Sequence, residues 1–269
     1  MKRRIAMMIL SCALCAPATA QEAVRLLAAG SLKAALSDVA AAFEASGGGK
    51  VSARFGPSGL LRDDIVKGAA VDVFASANME HPGALAAGGV AGPVALFARN
   101  ALCAFARPGF PAPTTDGLLD VMLDPATKLG TSTPKADPGG DYAFAMFARA
   151  DAVTPGARAI LESKALQLVG GPQSPPTPPD RNAVGYHLSS GAADLFIAYC
   201  SGRAGLEADA PGVTTTPLPE ALATRADYGL TVMKGAGAPA LRFALFVMSV
   251  EGQSILARHG FVAPALPAR

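Results

Sequence analysis

Histidine, cysteine and tryptophan are scarce: the 269 residues include three histidines, four cysteines and no tryptophan. His81, His187 and His259 are scattered, and no pair of cysteines or histidines has the spacing of zinc ligands. A hydrolase nucleophile motif fails at Leu60, where a glycine is required, and a phosphate-binding loop fails at Val51, where a serine or threonine is required. We therefore expect no metal cation and no enzyme, because no nucleophile–base pair is evident.

Charged residues are also few, 16% of the chain, whereas 51% of the residues are apolar. This excludes an intrinsically disordered chain, which combines low hydrophobicity with high net charge. Lys2, Arg3 and Arg4 lie in a segment that we expect to be removed, which leaves 20 basic and 21 acidic residues and a net charge of −1. Nucleic acid is not an expected partner, because it is bound by clustered lysines and arginines.

An export signal is predicted for residues 1–20. A basic start is followed by an uncharged, mostly apolar run, Ile5 to Ala16, and Ala18-Thr19-Ala20 has the small residues of a cleavage site. The run is shorter than the about 20 residues that span a bilayer, which argues against an uncleaved anchor. A lipid-anchored form at Cys12 is an alternative. We expect the mature chain to begin near Gln21 in the periplasm.

Two cysteines remain in the mature chain, Cys103 and Cys200. An even number of cysteines in an oxidising compartment is typical of a disulfide. Both lie in apolar runs that predict strands, residues 101–106 and 194–200. We predict a disulfide between them. Two buried free thiols are the alternative, because free cysteine is among the most buried residue types.

Strands and helices alternate along the chain. Apolar runs followed by small or turn residues predict the strands Val24–Ala28, Lys50–Phe55, Val71–Ser76, Ala101–Ala106, Leu129–Ser132, Leu195–Tyr199 and Tyr228–Met233. Apolar residues at helical spacing predict helices that begin at Ser31 and Ser58 and others over Asp141–Arg149, Val153–Leu161, Arg181–Ser190 and Ala238–Arg258. This order predicts an α/β fold with mainly parallel sheets and helical crossovers.

The composition suggests two α/β lobes. We expect residues 21–99 and 229–269 to form lobe 1, and residues 100–228 to form lobe 2. Residues 171–179 read GPQSPPTPP, and so many prolines are incompatible with a helix or a central strand. They predict an extended surface loop that acts as a spacer.

Small or hydroxyl residues recur at the predicted helix starts. Ser31 and Ser58 each follow a strand, and Gly139 and Arg181 stand at the starts of two later helices. A helix N-terminus leaves unpaired N–H groups and a partial positive charge, so an oxyanion binds there without a cation. Serine is also an ordinary helix cap, which is the alternative at Ser31 and Ser58. Several such starts at the ends of parallel strands predict an anion-binding cleft.

Five short segments carry a family resemblance: 28–32 (AAGSL), 55–60 (FGPSGL), 72–77 (DVFASA), 138–142 (PGGDY) and 193–199 (ADLFIAY). With the closing stretch 252–261, they resemble the periplasmic molybdate-binding proteins of ABC importers over nearly the whole mature chain. The resemblance implies a two-lobed periplasmic-binding-protein fold of type II with a ligand cleft between the lobes. It also implies a monomer without a cofactor, whose partners are a small oxyanion and an inner-membrane permease with its ATPase.

The resemblance implies specific ligand donors as well. Ser31 and Ser58 would bind a tetrahedral dianion, molybdate or tungstate, through their hydroxyl and N–H groups. Gly139 and Arg181 would offer backbone N–H groups, and Tyr199 its phenol.

Arg181 is where this chain departs from the family, which has an aliphatic residue at that position. The Arg181 side chain either binds the anion or pairs with Asp180 or Asp141, and we expect it to bind the anion. A second candidate function follows, a binding protein for a different oxyanion or a small carboxylate anchored by Arg181.

Overall fold

The computed structural model describes residues 22–264. The predicted export signal over residues 1–20, with its alternative lipid anchor at Cys12, lies outside the described residues. The first part of the chain forms parallel strands joined by helices: β1 (Val24–Ala29), α1 (Lys33–Ala45), β2 (Val51–Gly56), α2 (Ser58–Val66), β3 (Val73–Ser76) and α3 (Glu80–Ala87). A 3₁₀ turn, Gly30–Leu32, separates β1 from α1.

The middle of the chain builds a second set of strands and helices. Its elements are β4 (Ala91–Ala106), α4 (Leu118–Leu123), β5 (Leu129–Ser132), α5 (Pro138–Val153), α6 (Ala157–Lys164), β6 (Leu166–Val169), α7 (Ala183–Ser189), β7 (Leu195–Tyr199), α8 (Arg203–Asp209) and β8 (Thr214–Pro217). The chain then returns through β9 (Arg225–Met233) to α9 (Ala238–Met248) and α10 (Val250–Arg258).

Two long strands connect the two sets. The strand order is β2-β1-β3-β9-β4-β7-β5-β6, and β8 also pairs with β4. The first part of β4, up to Ala101, pairs antiparallel with β9, whereas its remainder, Leu102–Ala106, pairs with β7 and β8. Lobe limits at residues 99/100 and 228/229 stay a prediction.

The strands β1, β3, β5 and β7 are almost entirely buried, as is typical of parallel sheets covered by helices on both faces. Leu26 and Ala28 of β1 belong to the large core cluster, while Leu27 packs with Phe74 on the opposite face. The parallel pairs β1–β2, β1–β3, β5–β6 and β5–β7 confirm the predicted α/β class.

The predicted helix Ala238–Arg258 is wrong as a single element. It is two helices, α9 and α10, which meet at an angle of 59°. Ser249 between them has extended backbone angles, and its hydroxyl accepts a hydrogen bond from Gly252 N–H at 3.2 Å. Serine at this position therefore caps a new helix, a local preference that the continuous apolar pattern masked. No single described helix is long and apolar enough to cross a bilayer, although α9 and α10 together reach that length.

Other predicted boundaries of helices and strands differ from those in the structure. The predicted strand Ala101–Ala106 is the last part of the longer strand β4. Arg99 and Asn100 are polar and interrupt the apolar pattern of β4, so the pattern did not predict its first part. The predicted helix Val153–Leu161 begins instead at Ala157, after Gly156 in a left-handed conformation. The sequence patterns missed α3, α4, α8, β6 and β8, which are all short. Residues 171–179 contain neither helix nor strand, as predicted.

A disulfide joins Cys103 of β4 to Cys200, with Cα atoms 5.0 Å apart. Cys200 directly follows Tyr199, the last residue of β7. The bond therefore holds the end of β7 against β4 where the two strands already pair.

We predict that removing this disulfide destabilises the fold. The bond closes a loop over a separation of 97 residues, and loss of a native disulfide typically costs about 2–5 kcal/mol. Thermal unfolding with and without reductant measures the effect, and alkylation followed by mass spectrometry counts free thiols. A variant with both Cys103→Ser and Cys200→Ser is the control. Its melting temperature should be the same with and without reductant. Two alkylatable thiols in protein isolated from the periplasm would refute the bond.

Candidate functional site

The predicted donors lie at strand ends in both halves of the sheet, the half that contains β1 to β3 and the half that contains β5 to β7. Ser31 follows β1, Ser58 follows β2, and Tyr199 is the last residue of β7. Gly139 is the second residue of α5, a few residues beyond the end of β5. Along the strand order β7 runs opposite to β1 and β2, so the carboxyl ends of the two sets of strands face each other near the middle of β4. Ligands bind beyond the carboxyl ends of strands in open α/β folds.

Ser31 is not a helix cap. Its Oγ lies 3.0 Å from the hydroxyl of Tyr228, and the turn that contains it has no side-chain cap. Tyr228 is completely buried and also accepts a hydrogen bond of 3.5 Å from Asn100 Nδ2. The Ser31–Tyr228 pair shares one hydrogen bond, so one of its two protons remains to be donated elsewhere.

Ser58 is not a side-chain cap either. It is the first residue of α2 and is 1% exposed. Its Oγ accepts a hydrogen bond of 3.1 Å from the backbone N–H of Ala77, which follows β3. A hydroxyl that accepts in this way keeps its own proton for another acceptor. Ser58 is therefore fixed in place as a donor at the start of α2.

The start of α2 contacts the segment that precedes α5 directly beside Ser58. The backbone N–H of Gly59 donates to the carbonyl oxygen of Ala136 at 3.0 Å. A Cβ atom on Gly59 would lie 2.3 Å from the carbonyl oxygen of Lys135, so only glycine allows this approach. Lys135 has a φ of +69°, which is uncommon for a residue with a side chain. This contact places Ser58 next to the segment that leads into α5.

Tyr199 supplies a buried hydroxyl. Its ring lies 5.6 Å from that of Tyr228 and 6.4 Å from that of Tyr142, measured between centroids. Among the described residues its hydroxyl forms no hydrogen bond of normal distance and angle, but the Tyr228 hydroxyl lies close enough to act as a weak hydrogen-bond partner. Burial, with Tyr228 as a second cause, raises the pKa of Tyr199 well above its usual value. The phenol therefore keeps its proton at neutral pH.

The same argument holds for its tyrosine neighbours. Burial raises the pKa of Tyr228. Burial also raises the pKa of Tyr142 to about 12, against a backbone hydrogen bond with Asp227 that lowers it. Three protonated phenols therefore lie together at the site.

Gly139 lies against Tyr199, but its N–H is already bonded. A Cβ atom on Gly139 would lie 3.4 Å from Tyr199 Cε2 and 3.2 Å from Ser132 Oγ. Its N–H donates to Oδ1 of Asp137 at 3.0 Å, so the carboxylate of Asp137 caps α5. An anion that bound this N–H would have to share it with Asp137.

Arg181 is not part of this group. Its Nε pairs with the Asp209 carboxylate, and its Nη2 donates to the Asp209 carbonyl oxygen at 3.0 Å. Its backbone N–H donates to Pro178 O at 3.1 Å, and its guanidinium lies 5.8 Å from the ring centre of Tyr186. The sequence predicts that the Arg181 side chain binds the anion or pairs with Asp180 or Asp141. Among the described residues it forms neither of these two ion pairs. Asp209, at the end of α8, is close in space although distant in sequence.

Two members of the site escaped the sequence patterns. Asp137 stands directly before Pro138, and an acid followed by proline is a recognisable helix start. Tyr228 gave no such signal, because an aromatic residue in an apolar strand is typical of a core. No group of three His, Cys, Asp or Glu side chains within residues 22–264 is arranged to hold a metal ion.

The proline-rich loop is more than a spacer. Ser174 Oγ lies 3.2 Å from Thr133 Oγ1 and accepts a 3.0 Å hydrogen bond from Gly171 N–H. The preceding Gly170 packs so closely on Asp137 that a Cβ atom there would lie 2.6 Å from Oδ2. The loop also lines a pocket of about 290 Å³ with Thr133 and Gln167. The loop is therefore held against Thr133, in the segment between β5 and α5, and Gly170 is held against Asp137.

Comparison with known proteins places the chain among transport proteins. Residues 24–262 match the family described as bacterial extracellular solute-binding protein. The chain is 35% identical to protein PM1146 of Pasteurella multocida over 240 residues, 89% of this chain and 98% of that protein. It is 26% identical to the molybdate-binding protein ModA of Mycobacterium tuberculosis over 268 residues, 92% of this chain and 87% of ModA.

Solved structures share the fold. The periplasmic molybdate-binding protein of Azotobacter vinelandii superposes with a TM-score of 0.71 at 21% identity, covering 91% of this chain and all of that one. The sulfate-binding protein SubI of Mycobacterium tuberculosis gives 0.73 at 18% identity, with 91% and 88% covered. PEB3 bound to L-phospholactate gives 0.68 at 14%, with 88% and 98% covered. These likenesses confirm the predicted two-lobed fold.

We predict that Gly59→Ala moves the start of α2 away from the segment that precedes α5. The added methyl group cannot occupy a position 2.3 Å from the Lys135 carbonyl oxygen, so the hydrogen bond to Ala136 is lost. Small-angle scattering should report a larger radius of gyration than for the parent. Gly83→Ala in α3 is the matched control, because nothing lies within 4 Å of its added Cβ. An unchanged radius for Gly59→Ala would contradict the role of this contact.

We predict that Arg181→Leu affects stability and not anion binding. The substitution leaves the Asp209 carboxylate without its guanidinium partner, although Asn182 N–H still donates to Oδ2, so we expect a loss of about 1 kcal/mol, the lower end for an unsatisfied polar group. Chemical denaturation measures this loss, and calorimetric titration should find anion affinity within about 0.5 kcal/mol of the parent. Arg158→Leu removes an exposed pair with Glu162 and serves as control, with an expected loss below about 0.5 kcal/mol. Weaker anion binding by Arg181→Leu would restore Arg181 to the site.

Proposed function

Since this chain belongs to the bacterial extracellular solute-binding proteins, we propose that it captures molybdate in the periplasm for an ABC importer. The family and the fold are those of transport proteins, which are not enzymes. The export signal predicted over residues 1–20 is consistent with this location. Its partners would be the small oxyanion and an inner-membrane permease with its ATPase. We further propose that the protein acts as a monomer and needs no cofactor, with tungstate as a second ligand.

One observation carries the proposal: neutral donors follow the carboxyl ends of β1, β2 and β7, which face each other near the middle of β4. Ser58 and the Ser31–Tyr228 pair each keep one proton for which no acceptor is assigned among residues 22–264. The Tyr199 hydroxyl is buried and forms no hydrogen bond of normal geometry in the described part of the chain. A fully ionised oxyanion is an acceptor only, so a set of hydroxyl and N–H donors satisfies it. The likeness to the molybdate-binding proteins supports this choice of ligand.

Two observations bear on the alternative ligand. The structural neighbours include a sulfate-binding protein and a protein bound to L-phospholactate, so other oxyanions suit this fold. Anchoring of a carboxylate by Arg181 is not supported, because its guanidinium is engaged by Asp209. The alternative therefore narrows to another tetrahedral oxyanion held by the same hydroxyl groups.

Titration of the purified mature protein tests the proposal. Molybdate should raise the melting temperature in proportion to the logarithm of its concentration once the site is saturated, because a ligand of the folded state stabilises it by mass action. Sulfate and phosphate at the same concentrations should give smaller shifts. A larger shift with sulfate or phosphate, and none with molybdate, would overturn the choice of ligand.

Ser58→Ala links this binding to the site. We predict that it weakens molybdate binding by about 1.5–3 kcal/mol, the contribution of a hydrogen bond to a charged group. Calorimetric titration measures the affinity, and denaturation separates it from the stability lost at Ala77 N–H. Ser163→Ala on the exposed face of α6 is the control, because its hydroxyl bonds only to the Ile160 carbonyl oxygen. Unchanged affinity in Ser58→Ala would make Ser58 a structural residue only.

A further inference from the structure

Asp137 places a carboxyl group at the proposed anion site. Its Oδ1 accepts the Gly139 N–H hydrogen bond of 3.0 Å, and Gly139 packs against the ring of Tyr199. The hydroxyl of Ser132 is a second hydrogen-bond partner of the carboxyl group. Gly170 packs closely against the same carboxyl group. A dianion at this helix start would therefore meet a carboxyl group of the protein itself.

Within residues 22–264, no ion pair with a cation compensates for that charge. The ionisable groups that influence or are influenced by Asp137 are Asp141 of α5, Tyr199 of β7 and Tyr228 of β9, and none of them is basic. Lys135 is exposed, and its backbone N–H is bonded to Asp141 at 2.7 Å. None of the ion pairs among the described residues includes Asp137. A carboxylate and a dianion would repel each other here without screening by a neighbouring charge.

A proton on Asp137 removes this conflict. A protonated carboxyl group donates an O–H hydrogen bond instead of only accepting, and it would then join the Tyr199 hydroxyl, which is buried and forms no hydrogen bond of normal distance and angle among the described residues. We propose that the protein takes up one proton from solvent with each molybdate dianion, and that the Asp137 carboxyl group holds it. The proposal rests on the anion-binding function above and adds the residue that holds the proton.

The environment of Asp137 favours this protonation. Burial raises the pKa of Asp137 above its usual value, and the negative charge of Asp141 adds to the rise, whereas the Gly139 and Ser132 hydrogen bonds oppose it. A dianion beside the carboxyl group raises its pKa further in the complex. Between the pKa of the free protein and that of the complex, binding takes up a proton. Affinity therefore falls as pH rises through this window, by up to about tenfold per pH unit for one linked proton.

Calorimetric titration with sodium molybdate tests the proposal directly. At one pH, buffers of different ionisation enthalpy should give different apparent binding heats, and the slope should correspond to uptake of up to one proton per anion. Asp137→Asn should abolish the uptake and make affinity independent of pH, while its amide still caps α5. At the high-pH end it should bind molybdate more tightly than the parent, a gain that a structural role would not produce.

Asp141→Asn is the matched control. It removes a carboxylate from the same helix, one whose Oδ1 is bonded to Lys135 N–H. It should retain the proton uptake, with the pH window moved lower because the Asp141 charge no longer raises the pKa of Asp137. Molybdate binding by the parent without proton uptake, or uptake that persists in Asp137→Asn, would overturn the proposal and leave the anion-binding function standing. No binding of molybdate, tungstate, sulfate or phosphate at any pH would overturn both.

Discussion

The hydrogen bond from Gly59 N–H to the Ala136 carbonyl oxygen joins two parts of the chain that belong to different halves of the sheet. Its donor lies one residue after Ser58, and its acceptor lies one residue before Asp137. The groups proposed to hold the anion from either side are therefore brought together by this approach. It requires a residue without a Cβ atom, since the carbonyl oxygens of Lys135 and Ala136 fill the space where one would be.

Neutral donors and one carboxyl group define the chemistry of the site. Burial keeps the phenols of Tyr142, Tyr199 and Tyr228 protonated. The same burial makes an ionised Asp137 unfavourable beside an anion. A low-dielectric site strengthens each hydrogen bond to an ionised ligand, and it penalises an uncompensated charge equally strongly. The donor set and the proposed proton on Asp137 therefore follow from one property of the site.

The rigid framework around the site is built from long strands and one covalent bond. β4 and β9 pair along most of their length, and Tyr228 lies within that pairing, opposite Ala98. The Cys103–Cys200 bond holds the residue after Tyr199 to β4. The two tyrosines that face each other are thus fixed by elements on either side of the site.

Local patterns in the sequence predicted most of the strands, the α/β class and the positions of Ser31, Ser58 and Tyr199 beside strand ends. These features depend on short-range periodicity and on turn residues, which any reader of the chain can recognise. The tertiary structure alone decided that Ser31 bonds to Tyr228, 197 residues away, and that Arg181 pairs with Asp209. Such partners are chosen by which strands and helices become neighbours when apolar faces are buried, and no local pattern encodes that choice.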